Sequence, residues 1–261
     1  MWTDWPRSNI NLLFQTGKNI YKAYILPQKR YLSACFKSRL SMLTEDAAIA
    51  IQEELRRQVI TTDELPETIK IIAGTDVEYD KDSNLIAGSI VLLDYTTLQI
   101  VAVATHCMEV TFPYIPGLFS FREMPPLLKA WEKLPLLPDL IVCDGQGLAH
   151  QRRFGMACHF GVTVNKPVIG CGKTRLCGEY HHLGEERGSI APLIETGEHI
   201  GNALRTQTAT NPVFVSTGHK ISLATATDIV LKLCTQYRLP ETTRISDHYG
   251  RLALLEYKKE V

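Results

Sequence analysis

The 261 residues hold no run approaching the roughly 20 consecutive apolar positions that a membrane helix needs. They also hold no C-x-x-C pair, no Gly/Pro/Ser-rich linker and no net charge, 28 Lys and Arg balancing 28 Asp and Glu. Each absence excludes something. The first argues for a soluble chain. The spread of Pro and Gly argues for a single domain, which 45% hydrophobic content over this length is enough to build around one good core. Seven cysteines, an odd number at irregular spacing, form neither a disulfide framework nor a zinc ribbon, and read as reduced thiols of a cytoplasmic protein.

The charge that is present is unevenly spread. Residues 1–41 carry seven Lys/Arg against one acid, which leaves 21 against 27 in residues 42–261. The globular part is therefore mildly acidic, and a nucleic-acid partner has to be held by a local basic patch and metal ions rather than by a whole-protein field. Residues 1–41 have no apolar core or small-residue cleavage site of a secretory signal. They are expected to be a basic extension, disordered or arising from a start upstream of the true one. Met42 directly precedes a helix start, with Thr44 as N-cap and Glu45 and Asp46 in the first turn. Residues 42–261 are expected to form one catalytic domain.

Ala48, Ile51, Leu55 and Val59 recur at helical spacing. Three β-like runs follow, Ile69 to Tyr79, Leu85 to Leu93 and Leu98 to Val110, expected as an antiparallel meander. A helix over Arg122 to Leu134, a strand Leu140 to Cys143, a helix over Arg152 to Phe160 and a strand Pro167 to Cys171 then suggest parallel βαβ addition to the same sheet. Strands near Ser189 to Ile194 and Val213 to Ser216, a helix from Leu223 to Tyr237 and a terminal helix from Arg244 complete the reading. The fold class is α/β, ribonuclease H-like: a mixed central sheet of three antiparallel strands and then parallel additions, flanked by helices. That layout puts the first and fourth strands side by side.

Asp76 lies inside the apolar run Ile71-Ile72-Ala73-Gly74-Thr75-Asp76-Val77, where a charge is costly to bury unless it is paired or metal-bound. The alternative is a wet strand face continued by Glu78, Asp80 and Asp82. A calcium loop is excluded, since position six is Lys81 and position twelve Ala87. Asp144 ends the apolar run Leu140 to Cys143, at the carboxyl end of a parallel strand, where sites in open α/β sheets collect. It reads equally as a turn aspartate in an Asp-Gly pair. If the sheet order holds, the two acids share a cation or one is driven to a higher pKa. Glu123 closes a loop stiffened by Pro113, Pro116 and Gly117, whose apolar residues form either a wedge against stacked bases or a plug on the core. Gly172-Lys173-Thr174 fails as a P-loop because Pro167 replaces the first glycine. Lys173 remains available to phosphate charge. His219 follows another apolar strand and is a further candidate for a phosphate or water, whereas His181 and His182 read as surface residues.

Taken together these segments resemble the endonuclease V family of deoxyinosine 3′-endonucleases. The pieces are Gly74-x-Asp76, Pro113 to Pro116 running into Ser120-Phe121-Arg122-Glu123, Asp144-Gly145-x-Gly147, His150, Lys173-Thr174-Arg175-Leu176-Cys177-Gly178 and Gly218-His219, in family order over about residues 42–255. The resemblance implies a monomeric DNA repair endonuclease that uses Mg²⁺, or Mn²⁺ in its place, held by Asp76, Asp144 and Glu123. It implies hydrolysis of the second phosphodiester bond 3′ to deoxyinosine, leaving 3′-hydroxyl and 5′-phosphate ends. Lys173 and His219 would then orient the scissile phosphate, with His150 at a phosphate or behind it. Pro113, Tyr114, Ile115 and Pro116 would fill the gap left by a base rotated out of the duplex, and main-chain groups at Gly117, Phe119 and Gly145 would line the base pocket. Inosine in RNA is the alternative substrate, and a non-catalytic inosine-binding module the remaining one. Gln146 departs from the His usual in bacterial relatives, and residues 1–41 have no counterpart in compact members of the family.

Overall fold

The computed structural model describes residues 44–260, so the expectation for residues 1–41 lies outside the described residues. Thr44 caps α1 (Glu45–Arg56) as its sequence indicates, accepting from the Ala47 N–H at 3.3 Å. The meander is β1 (Ile71–Tyr79), β2 (Leu85–Asp94) and β3 (Ile100–Glu109), followed by α2 (Phe119–Trp131), β4 (Leu140–Cys143), α3 (Met156–Val164) and β5 (Val168–Gly172). Strands β6 (Ile190–Glu195), β7 (Glu198–Leu204) and β8 (Val213–His219) precede α4 (Leu223–Leu233) and α5 (Glu241–Glu260).

All eight strands form one sheet in the order β3-β2-β1-β4-β5-β8-β7-β6. β4 joins β1 in parallel and β5 joins β4 in parallel, so the ribonuclease H-like expectation holds, with the first and fourth strands adjacent. The parallel additions stop there. β8, β7 and β6 extend the sheet antiparallel. β7 has no strand signature in the sequence: Glu198-His199-Ile200-Gly201-Asn202 is polar and carries a glycine, whose missing side chain lets the Val215 carbonyl approach to 2.6 Å of where a Cβ would stand.

Helix boundaries move for local reasons. α3 starts at Met156 rather than Arg152 because Arg153 is left-handed (φ 53°) and Gly155 is the extended N-cap, and Asn165 (φ 52°) closes it. α2 runs from Phe119 to Trp131 rather than from Arg122 to Leu134, carrying Pro125 and Pro126 inside it.

Two glycines set how closely helices lie on the sheet. A Cβ on Gly74 of β1 would stand 2.0 Å from the Thr242 carbonyl of α5, and one on Gly88 of β2 would stand 2.6 Å from the backbone of Pro126 in α2. Gly88 pairs with Val77, one residue out of phase with Gly74, so α5 and α2 cover opposite faces of the meander. On the α5 side the core joins Ile72, Leu140, Val142, Ile169 and Val215 to Ile229 and Val230 of α4 and Ile245 of α5. The six cysteines in the described residues are free thiols, as their spacing indicates. No helix among the described residues is long and apolar enough to cross a membrane.

Candidate active site

The carboxylates converge where β1, β4 and β5 run side by side. Thr75 pairs with Cys143, and the Asp144 N–H continues the ladder to the Thr75 carbonyl at 3.1 Å, so Asp76 and Asp144 stand on adjacent strands. The two side chains share a hydrogen bond. Asp76 is 6% exposed. Burial first, then the hydrogen bond to Asp144 and the charges of Asp144 and Asp247, hold its carboxyl far above the usual carboxylate range, with Lys173 pulling the other way.

Lys173, just past β5, is the cation at the centre. Its Nζ lies 2.5 Å from Asp144 Oδ2, 3.8 Å from Asp76 Oδ1 and 3.7 Å from Asp247 Oδ1. These charges keep the ammonium protonated well above its ordinary range despite partial burial. Its main chain is pinned from both sides, since Arg238 donates to the Lys173 carbonyl at 2.7 Å and the Gln146 amide donates to the Thr174 carbonyl at 2.9 Å. Gln146 therefore props the lysine loop from beneath.

Asp247 was not legible in the sequence. It sits on the polar helix α5, where an acid raises no suspicion, and the close approach across Gly74 carries it to β1. One ligand oxygen each from Asp76, Glu78 and Asp247 lie within 4.8 Å of one another, a spacing suited to one hard cation. Asp76, Glu78 and Gly74 share a face by strand alternation, so the acids at 76 and 78 belong to the site rather than to a purely wet face.

Glu123 comes from α2, on the other side of the meander, and its coupling to the group runs through the charge of Asp144. It is 6% exposed, and burial drives its pKa well up. Tyr79 Oη donates to Glu123 Oε1 at 3.3 Å.

The loop before α2 has a buried side and an exposed one. Phe112, Leu118 and Phe121 are buried with Ala48, while Pro113, Tyr114 and Pro116 are exposed, Tyr114 by 66%. Phe119 is exposed too, and meets Tyr114 edge-on at 5.7 Å. Gly117 is left-handed (φ 79°), and its carbonyl accepts from Arg152 Nη2 at 2.6 Å and from Gln52 Nε2 at 3.0 Å. That carbonyl is thus engaged inside the protein and not free to read a base. Gly145 follows Asp144 directly, and a Cβ there would stand 3.2 Å from Met156 Cβ. His150 is buried beneath the loop that precedes α2, hydrogen-bonded to Gly117, with its Nδ1 accepting from the Arg152 N–H at 3.2 Å and burial lowering its pKa to about 4. It braces the loop and is enclosed away from a phosphate.

His219 is the expectation that the fold overturns. It pairs with Val168 at the start of β5, whereas Lys173 follows its end, and Val168 to Gly172 spans about 13 Å at roughly 3.3 Å per residue. β8 runs antiparallel to β5, so its last residue points away from the carboxylates. There His219 Nδ1 accepts from the Ile60 N–H at 3.3 Å, and burial lowers its pKa to about 4. His181 and His182 are exposed, as read from sequence, and line an open cleft of about 850 Å³ with Arg175 and Glu195 that includes none of the carboxylates above.

The sequence profile of the endonuclease V family matches residues 53–248. An endonuclease V from Nostoc punctiforme is 47% identical over 204 residues, covering 78% of this chain and 92% of its own. The crystal structure of endonuclease V from Streptomyces avermitilis superposes with a TM-score of 0.78 at 45% identity, covering 83% of this chain and 96% of that one. The Ciona intestinalis endonuclease V, solved with a 24mer DNA containing an inosine followed by a ribo-adenosine, superposes with a TM-score of 0.70 at 29% identity, covering 80% of this chain and 97% of that one.

Proposed function

Because the chain belongs to the endonuclease V family, we propose that it is a DNA repair endonuclease hydrolysing the second phosphodiester bond 3′ to deoxyinosine, leaving 3′-hydroxyl and 5′-phosphate ends. Asp76 and Asp144 would hold a Mg²⁺ ion, or Mn²⁺ in its place, with Glu78 and Asp247, whose oxygens gather with that of Asp76, as further donors and Glu123 completing the acidic site beside Asp144. Oxygen donors in this number suit a hard divalent ion. A buried Asp76 hydrogen-bonded to a second acid also signals a site with too few positive charges of its own. The ion supplies Lewis acidity, lowering the pKa of the attacking water and neutralising charge on the phosphate.

The chain's own residues do the rest. Asp144, its partner Lys173 released to the incoming phosphate, orients the attacking water. Lys173, held cationic by three carboxylates, stabilises charge on the scissile phosphate. Tyr114, exposed between two prolines, enters the stack where the lesion rotates out, a step that costs least for a weakly paired base such as inosine. Phe119 and the backbone around Gly145 line the space for that base.

The observation carrying this reading is the convergence of carboxylates from β1, the β4 end and α5 on a single lysine. One gel tests it: inosine at a known position in a DNA duplex, incubated with Mg²⁺ or with EDTA, and the cut mapped. Cutting at the second bond, in Mg²⁺ only, and its loss in Asp144→Ala, are expected; cutting at the lesion itself or in EDTA would refute the reading. The ribo-adenosine in the Ciona complex gives the RNA alternative a specific footing, so an inosine-containing RNA belongs on the same gel.

A further inference from the structure

Tyr79 is used by no step above, yet it touches both halves of the site. Its ring is the inner member of an aromatic row: Tyr114 meets Phe119 at 5.7 Å, and Phe119 meets Tyr79 at 6.0 Å. Its hydroxyl donates to Glu123. A polar route runs alongside. Arg122 lies over the Tyr79 ring at 5.1 Å and donates through Nη1 to the Phe112 carbonyl at 3.0 Å, the residue at which the wedge loop leaves the core. Among the described residues the Arg122 Nε has no partner, and the Phe112 carbonyl and Tyr79 fix the side chain's orientation.

We propose that Tyr79 is a positioning residue coupling lesion capture to the acidic site: the wedge loop sets its ring, and its hydroxyl sets the carboxylate of Glu123. Packing alone does not need the hydroxyl. Tyr79 ends β1 opposite Ile86, and a phenylalanine would fill the same space against Phe119 and Arg122. The oxygen lies between the Arg122 side chain and Glu123, and gives that buried glutamate a fixed donor. Among the described residues the Tyr79 hydroxyl is the hydrogen-bond donor to the Glu123 carboxylate, which a helix and not a strand ladder carries. Movement of Tyr114 on entering DNA is passed through Phe119 to the ring, and from the ring to the carboxylate.

The inference rests on the function proposed above, and Tyr79→Phe separates the two. Three readouts are compared with wild type: Mn²⁺ binding by calorimetry, binding of an inosine duplex in EDTA by fluorescence anisotropy, and cleavage against Mn²⁺ concentration. Tyr79→Phe should bind Mn²⁺ about tenfold more weakly and need about tenfold more of it to cut, the order of one hydrogen bond to a charged group. Its affinity for the inosine duplex should stay at the wild-type value, because the ring remains. Tyr79→Leu, lacking the ring, should also lose affinity for the inosine duplex. Wild-type Mn²⁺ affinity in Tyr79→Phe would overturn the inference, as would an equal loss of Mn²⁺ and duplex binding, the mark of a packing residue. If wild type failed to cut inosine the proposed function would fall, and the Mn²⁺ calorimetry would still decide the part played by the hydroxyl.

Discussion

Replacing Asp76 by Asn is expected to abolish cutting while making the metal-free protein less sensitive to alkali. Asp76 has a folded pKa far above its unfolded value of about 3.9, because burial and Asp144 disfavour its charge. Between those two values the native state holds a proton that the unfolded chain has released, so stability is fullest at low pH and is lost as pH rises. One such proton amounts to about 1.4 kcal/mol per pH unit. Glu123, buried and raised in the same direction, acts in the same sense in both proteins. Asparagine keeps the shape and removes the titration, so the slope should fall by the Asp76 contribution. Histidines 150, 159 and 219, lowered to about 4, act in the opposite sense, stabilising as pH rises toward their unfolded value near 6.5. Buried thiols enter only above about pH 8. Urea denaturation in EDTA at pH 7 and pH 8 falls between the two. With a urea slope of about 2 to 3 kcal/mol per M, the wild-type midpoint should drop by about half a molar more than that of the variant. Equal slopes in the two proteins would refute the account of Asp76 as a protonated buried acid. Mg²⁺ should flatten the wild-type dependence and leave the variant unchanged.

Asp247→Asn should weaken Mn²⁺ binding at least tenfold and raise the metal needed for cutting in proportion, measured by calorimetry and a cleavage titration; unchanged affinity would remove Asp247 from the site. His219→Gln should cut inosine DNA within about threefold of wild type and show its effect in the melting temperature instead, since its partner is the Ile60 N–H. Gln52→Leu strands the Arg152 Nε that donates to Gln52 Oε1 at 2.6 Å and removes donors from the Gly117 and Phe154 carbonyls, and should cost about 3 kcal/mol in urea denaturation. If Gly117 anchors the wedge, that variant should also bind inosine duplex no better than undamaged duplex in EDTA.

Much of this protein is written locally and can be read locally. Alternation and apolar runs marked β1 to β5, because a strand buried on a sheet must show its period in its own residues. Thr44 announced α1 through its cap. Asp76 and Asp144 were conspicuous because a charge at the centre or end of an apolar strand has few inexpensive explanations. The loop from Pro113 to Pro116 fixed its own stiffness.

What the chain could not reveal were relations between segments distant in sequence. β7, polar and glycine-bearing, is a strand only because β6 and β8 flank it. His219 carries the residue type expected of a phosphate ligand, but the antiparallel run of β8 beside β5 sends it to the far end of the sheet. Asp247 looks like any helix-surface acid until Gly74 lets α5 settle onto β1. Tyr79 joins the wedge to Glu123 through packing that no spacing encodes. Sequence by itself determined which groups were costly to bury and therefore in need of partners. Only the tertiary structure decided which partners they found, because strand direction and helix approach are settled by the whole sheet.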